Sequence, residues 1–230
     1  MKILAIEASS EQGSVALLVG DAVSSRRIEG AAKHSESVLR DTRELLAEAE
    51  LSVSSLDAVA FGAGPGAFTG LRLACGVAQG LALGADLGLA VIGSLDALAL
   101  QAGSKRVFAA TDARMGEVYC AAFERDEGGS LRAVSAVRCL APEDVALPPG
   151  HWTGVGSAFR VWPDALHTRF LDRLDACHDS LVARADEVAL LGAQLAANGG
   201  LVPPELAAPI YVRDKVALTT AERLARGGRA

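Results

Sequence analysis

The chain predicts an α/β protein built as two lobes. Two observations predict it: a run of three consecutive strands occurs twice, at 2–29 and again at 106–140, and helical apolar spacing alternates with short strand-like runs between and after them. With 230 residues, 50% of them hydrophobic, the chain can bury a core of that size as one large domain or two small ones.

Taken in order, KILAIEAS (2–9) and GSVALLVG (13–20) are apolar runs separated by a polar turn containing Gly13, and AVSSRRIE (22–29) reads as a third, more exposed strand. His34 to Glu50 places Val38, Leu39, Leu45, Leu46 and Ala49 at helical spacing, with Ser35 or Ser37 near its start to bond free amides. LDAVAF (56–61) is a buried strand that runs into the glycine loop GAGPGAFTG, and Gly70 to Asp86 is a helix with Thr69 as its N-cap. Leu89–Ile92 is a strand and Leu95–Ala102 a short helix. The order through residue 103 resembles an RNase H-like domain. After Ala102-Gly103-Ser104 the strand pattern restarts at 106–113, 116–124 and 131–140. GHWTGVGS (150–157) is a strand with a turn, and Ala185–Asn198 is a helix ended by Gly199 and Gly200. The expected boundary is therefore residues 1–103 for the first lobe and 104–230 for a second, reduced one.

Composition excludes several functions. A formal net charge of -6, without a run of four basic residues, argues against a chain that holds nucleic acid by itself, since that requires clustered Lys and Arg. The apolar stretch before Glu7 is too short for a signal peptide, so the cytoplasm is expected. Asp86 and Asp96 interrupt the weakly charged stretch 73–103, which speaks against a membrane span. Cys75, Cys120, Cys139 and Cys177 form no C-x-x-C pair and suit reduced, buried thiols. No H-E-x-x-H or H-x-x-x-H metal pair and no G-x-S-x-G elbow occurs, so no metal and no catalytic residue is assigned. His34, at a helix start, reads either as functional or as a solvated turn residue.

The glycine loop carries the strongest signal. Free amides at the following helix start suit an anion, yet the spacing is not G-x-x-x-x-G-K-[ST] and the loop has no lysine, so packing or a partner contact reads better. Arg72 in the first turn opposes the helix dipole at a cost of about 0.3–1 kcal/mol when exposed; Glu7, a phosphate or another subunit's carboxylate would offset it. Gly76, Gly80 and Gly84 form a smooth stripe, although each mid-helix glycine costs about 0.8–1 kcal/mol against alanine. Burial on one side of this helix and a subunit contact on the other account for both. The first hairpin, Glu7 with Ser9, Ser10 and Gly13, has the layout by which actin-like ATPases bring a phosphate to hairpin amides. No second phosphate loop or adenosine clasp accompanies it.

Together ILAIEASSEQGSVALL, HSESVLRDTRELLAEA, FGAGPGAFTGLRLACGVAQGLALG and PIYVRDKVAL (209–218) resemble the bacterial TsaB (YeaZ) family, with G-x-G-P-G-x-F-T-G-L-R the most specific string. The resemblance implies two RNase H-like lobes of the actin-like ATPase (ASKHA) superfamily, mixed sheets with flanking helices. It also implies a non-catalytic partner of the paralogue TsaD, working with TsaE in making N6-threonylcarbamoyladenosine beside the anticodon of tRNAs reading codons that begin with A. The tRNA would be met indirectly through the complex. The paralogue's H-x-x-x-H pair falls here on Ser94 and Leu98. The contact surface it implies comprises helices 34–50 and 70–86, also usable for a homodimer when TsaD is absent. The expected partner-binding residues are Gly64, Pro65, Gly66, Thr69, Gly70, Arg72, Leu73, Val77 and Leu81. Glu7, Ser9, Ser10 and Gly13 are expected as a vestigial nucleotide site, Glu7 departing from the family's common aspartate, with a nucleotide at the TsaD interface as the only cofactor. The alternative is a weak ATPase, or an M22-like protease acting alone.

Overall fold

The computed structural model describes residues 1–30 and 34–213; residues 214–218 of the tail motif, and 214–230 of the expected second lobe, lie outside the described residues. Strands β1 (Lys2–Glu7), β2 (Gln12–Val19) and β3 (Ala22–Glu29) form the antiparallel meander. Strands β4 (Ala58–Gly64) and β5 (Leu89–Gly93) add on the other side of β1 in parallel, giving the order β3-β2-β1-β4-β5. Parallel pairing needs a long crossover, and helices α1 (His34–Glu48) and α2 (Phe68–Gly84) supply it. Helix α3 (Ser94–Gln101) follows β5 directly.

The second sheet repeats the scheme with β6 (Arg106–Arg114), β7 (Glu117–Arg125), β8 (Leu131–Ala133), β9 (Arg138–Leu140), β10 (Trp152–Val155) and β11 (Leu174–His178), in the order β11-β10-β6-β7-β8, with β9 also on β7. The segment 131–140, expected as one strand, is two short ones. Ser135 interrupts the ladder by accepting the Ala122 N–H with its own hydroxyl at 2.8 Å. Strand β11 and the four-residue helix α4 (Ala158–Val161) had no sequence pattern that announced them. The reduction of the second lobe lies in its helices, since its sheet has six strands against five in the first.

Strand alternation divides the interior into three layers. Leu4, Ile6, Val15, Leu17, Val59 and Phe61 face α1 and α2 on the outside of the first sheet. Ile3, Ala5, Ala16 and Ala60 face inward to a core shared with Val107, Ala109, Ala121 and Phe123 of the second sheet. Phe108, Cys120, Trp152 and Phe159 close the far side. Helix α5 (Ala185–Ala197) lies past the expected boundary, yet it packs on β1, β2 and β4 of the first sheet, where Gly192 sits against Ala60. The chain then runs back along the first lobe: Val202 bridges Leu89, Ile210 donates its N–H to the Ala63 carbonyl at 2.7 Å, and Arg213 pairs with Glu117 of the second lobe at 2.6 Å.

Candidate partner-binding site at the glycine loop and helix α2

Strand β4 extends through Gly62 to Gly64, three residues beyond the expected end, and its pairing with β5 shifts register between those two glycines. The loop that follows is pressed against the end of β1. A Cβ on Gly62 would overlap the Glu7 carboxylate, one on Gly66 the Ser9 carbonyl, and one on Gly70 the Ala8 carbonyl. Gly64 has φ +110, a conformation side chains rarely adopt, and Pro65 beside it is buried. The glycines thus let two backbones meet, which fulfils the packing reading of the loop.

The same contact moves the start of the helix. Ala67, not Thr69, is the N-cap of α2, without a side-chain cap bond; its N–H reaches the Ser9 carbonyl at 2.7 Å and its carbonyl accepts from Leu71 at 3.0 Å. Thr69 is exposed in the first turn. Helix α1 likewise begins at His34, which puts Ser35 and Ser37 inside it rather than at its cap.

Glu7 is fully buried, and burial pushes its carboxyl above the ordinary value of 4.5. It accepts from the Ser9 N–H at 2.5 Å and the Ser94 hydroxyl at 3.0 Å, so it is not the partner of Arg72. The other hairpin residues are also occupied internally. Ser9 meets the loop, the Ser10 hydroxyl donates to the Gln12 carbonyl at 2.9 Å, and Gly13 lies within β2, not in the turn. A Cβ on Gly13 would come within 2.8 Å of the His34 ring. His34 is accordingly buried, not a solvated turn residue, and its Nε2 has no hydrogen-bond partner among the described residues.

Arg72 lies with its guanidinium 4.0 Å over the Phe68 ring and donates from Nε to the Tyr211 hydroxyl at 3.1 Å; the rings of Phe68 and Tyr211 are 5.7 Å apart. This cluster is exposed, and Phe68 and Tyr211 were not among the expected site residues. The aromatic in GAFTG and the tyrosine in PIYVRD were the available signals.

Along α2, Leu71, Ala74, Cys75, Ala78 and Ala82 face the sheet. Leu73, Val77 and Leu81 are half-buried at the edge of that core. Among the described residues, Gly76, Gly80 and Gly84 have nothing within 4 Å of where a side chain would begin, and Leu83 is 71% exposed. Arg72 is the one charged residue in α2. The outward face is apolar and smooth, and all nine expected partner-binding residues lie on the loop and this helix.

Elsewhere, Ser94 and Leu98 are buried, Ser94 on Glu7 and Leu98 in the shared core. Burial pushes the Cys120 and Cys177 thiols up to about 11, which keeps them protonated. His151 pairs with Asp175 at 3.2 Å beside a shallow cleft of the second lobe that shares no residue with the glycine loop. No helix among the described residues is long and apolar enough to cross a membrane.

Two mixed sheets around a shared core, with flanking helices and a glycine loop seated on the first hairpin, define a two-sheet α/β protein. A family model described as TsaD, tRNA N6-adenosine threonylcarbamoyltransferase, matches residues 28–150. The chain is similar to the tRNA threonylcarbamoyladenosine biosynthesis protein TsaB of Escherichia coli, 36% identical over 225 residues that cover 94% of this chain and 96% of that protein. The TsaB of Haemophilus influenzae is 40% identical over 131 residues, 55% of this chain and 56% of that one. The solved structure of YeaZ from Pseudomonas aeruginosa superposes with a TM-score of 0.81 at 35% identity, over 91% of this chain and 99% of that one. The chain belongs to the TsaB family.

Proposed function

We propose that the chain is a non-catalytic assembly subunit in the biosynthesis of N6-threonylcarbamoyladenosine in tRNA, binding the paralogous TsaD through the outward face of α2. The observation that carries this reading is the face itself: a solvent-facing helix normally displays charge, whereas α2 offers glycines without neighbours among the described residues, an exposed leucine and one arginine stacked on the Phe68 ring and bonded to the Tyr211 hydroxyl. Depletion of charge with aromatic and arginine anchors is the composition of a protein interface. Bare glycines let a second helix approach closely, and the same face can pair two copies of this chain when TsaD is absent.

The non-catalytic part of the proposal rests on Ser94 and Leu98, at the positions where the resemblance places a histidine pair; both side chains are committed to internal contacts. The buried Glu7 likewise favours a structural hairpin over an independent ATPase. We place TsaE with the assembled pair in the cytoplasm, any nucleotide at the interface with TsaD, and the tRNA mainly on other subunits, in keeping with the net charge of -6. The test is reconstituted threonylcarbamoyl transfer onto unmodified tRNA with TsaD, TsaE and the adenylate-forming enzyme, with and without this chain. Product should be lost on omission. Undiminished product without the chain, or ATP turnover by the chain alone, contradicts the proposal.

A further inference from the structure

A carboxylate in an apolar interior needs compensation, because burial removes its hydration. Glu7 is fully buried, and no Lys, Arg or His pairs with it among the described residues. Its two oxygens instead take the Ser9 N–H and the Ser94 hydroxyl. The Ser94 oxygen in turn accepts the Gly64 N–H at 3.2 Å. Gly64 is where β4 slips out of register with β5, so that its N–H is met by a side chain. Such irregularities re-aim the chain that leaves a strand, and the chain leaving here enters α2 within a few residues.

We propose that Glu7 and Ser94 are positioning residues for partner binding: Glu7 orients the Ser94 hydroxyl, the hydroxyl holds Gly64, and the held bulge sets the direction in which α2 presents its outward face. The inference rests on the α2 face being the binding surface. It explains why an acid is retained where a methionine or leucine would fill the space without desolvating a polar group, and why Gly62 has no side chain, since a Cβ there would displace the carboxylate. It also gives the buried Ser94 hydroxyl a function.

The test uses the full chain carrying Ser94→Ala, Glu7→Ala, Glu7→Gln or Val77→Asp, each titrated against TsaD from the same organism at a temperature where its melting curve shows it folded. Ser94→Ala and Glu7→Ala should weaken association tenfold or more. Glu7→Gln, which retains an acceptor for Ser9 and a polar group for Ser94, should stay within threefold of the parent. That rescue separates orientation by hydrogen bonds from a general loss of packing. If Glu7→Ala does not fold, Ser94→Ala decides. Wild-type affinity in Ser94→Ala, or a Glu7→Gln as weak as Glu7→Ala, overturns the proposal. Val77→Asp tests the surface on its own: if it alone abolishes binding, the positioning role fails and the surface stands, and if it binds like the parent, both fail.

Discussion

Helices α1 and α2 cover the same face of the same sheet, yet their outer sides differ. The outside of α1 carries Glu36, Arg40, Arg43, Glu44 and Glu48, and Arg26 of β3 reaches across to pair with Glu44 and Glu48. The outside of α2 carries glycines, Leu83 and the single Arg72. The first helix has the charged outer face usual for a helix in contact with solvent. The second gives up helix propensity at Gly76 and Gly80, where no neighbour among the described residues calls for a glycine. The inward requirement is shared, an apolar stripe against the sheet, while the outward composition differs in the way the proposed binding of TsaD through α2 requires.

The comparison can be broken first at the seat of α2. Gly70→Ala places a methyl group on the Ala8 carbonyl; since both partners are backbone, we expect a loss of about 3 kcal/mol or more, measured by urea unfolding. Val77→Asp, at the half-buried edge of the outward face, should leave the chain folded and reduce affinity for TsaD by at least about thirtyfold, the loss of one interface anchor of roughly 2 kcal/mol.

A smaller effect concerns pH. Because burial raises the Glu7 carboxyl in the folded chain above 4.5, its contribution to stability is fully present below that value and is lost as pH rises through the folded value. Glu7→Gln should therefore gain stability relative to the parent as pH rises from 4.5 toward neutrality, read from paired melting curves. The smallest effect is expected on α1. Glu44→Ala removes the pairings of a half-exposed carboxylate with Arg26 and Arg40 and should change stability by less than about 1 kcal/mol.

Much of this was legible in the sequence, and what was not has physical reasons. The continuous apolar runs in ILAIEA and VALLV specify strands with two buried faces, and the apolar spacing in VLRDTRELL specifies a helix; both patterns are local. The glycine string marked the loop, and the four-residue glycine spacing marked the stripe. Thr69 misled as a cap because the helix start is decided by the Ala67 N–H finding Ser9, a partner far back in the chain. Gly13 looked like a turn residue because the His34 ring that requires its small size comes from another element. The Glu7–Ser94 contact spans 87 residues, and Tyr211 reaches Arg72 across 139, so neither left a local pattern. Strands β8 and β9 read as one because the serine that splits them fits a strand equally well.

The central claim, that α2 is shaped for a second protein, is tested most directly by Gly80→Ala, measured twice. With nothing among the described residues within 4 Å of the new methyl group, the isolated chain should become more stable by about 0.8–1 kcal/mol, the helix-propensity difference between glycine and alanine. The same methyl group should obstruct close helix approach and weaken association with TsaD. Opposite signs in the two measurements are what the account predicts. A variant that is both more stable and binds TsaD as tightly as the parent would contradict it.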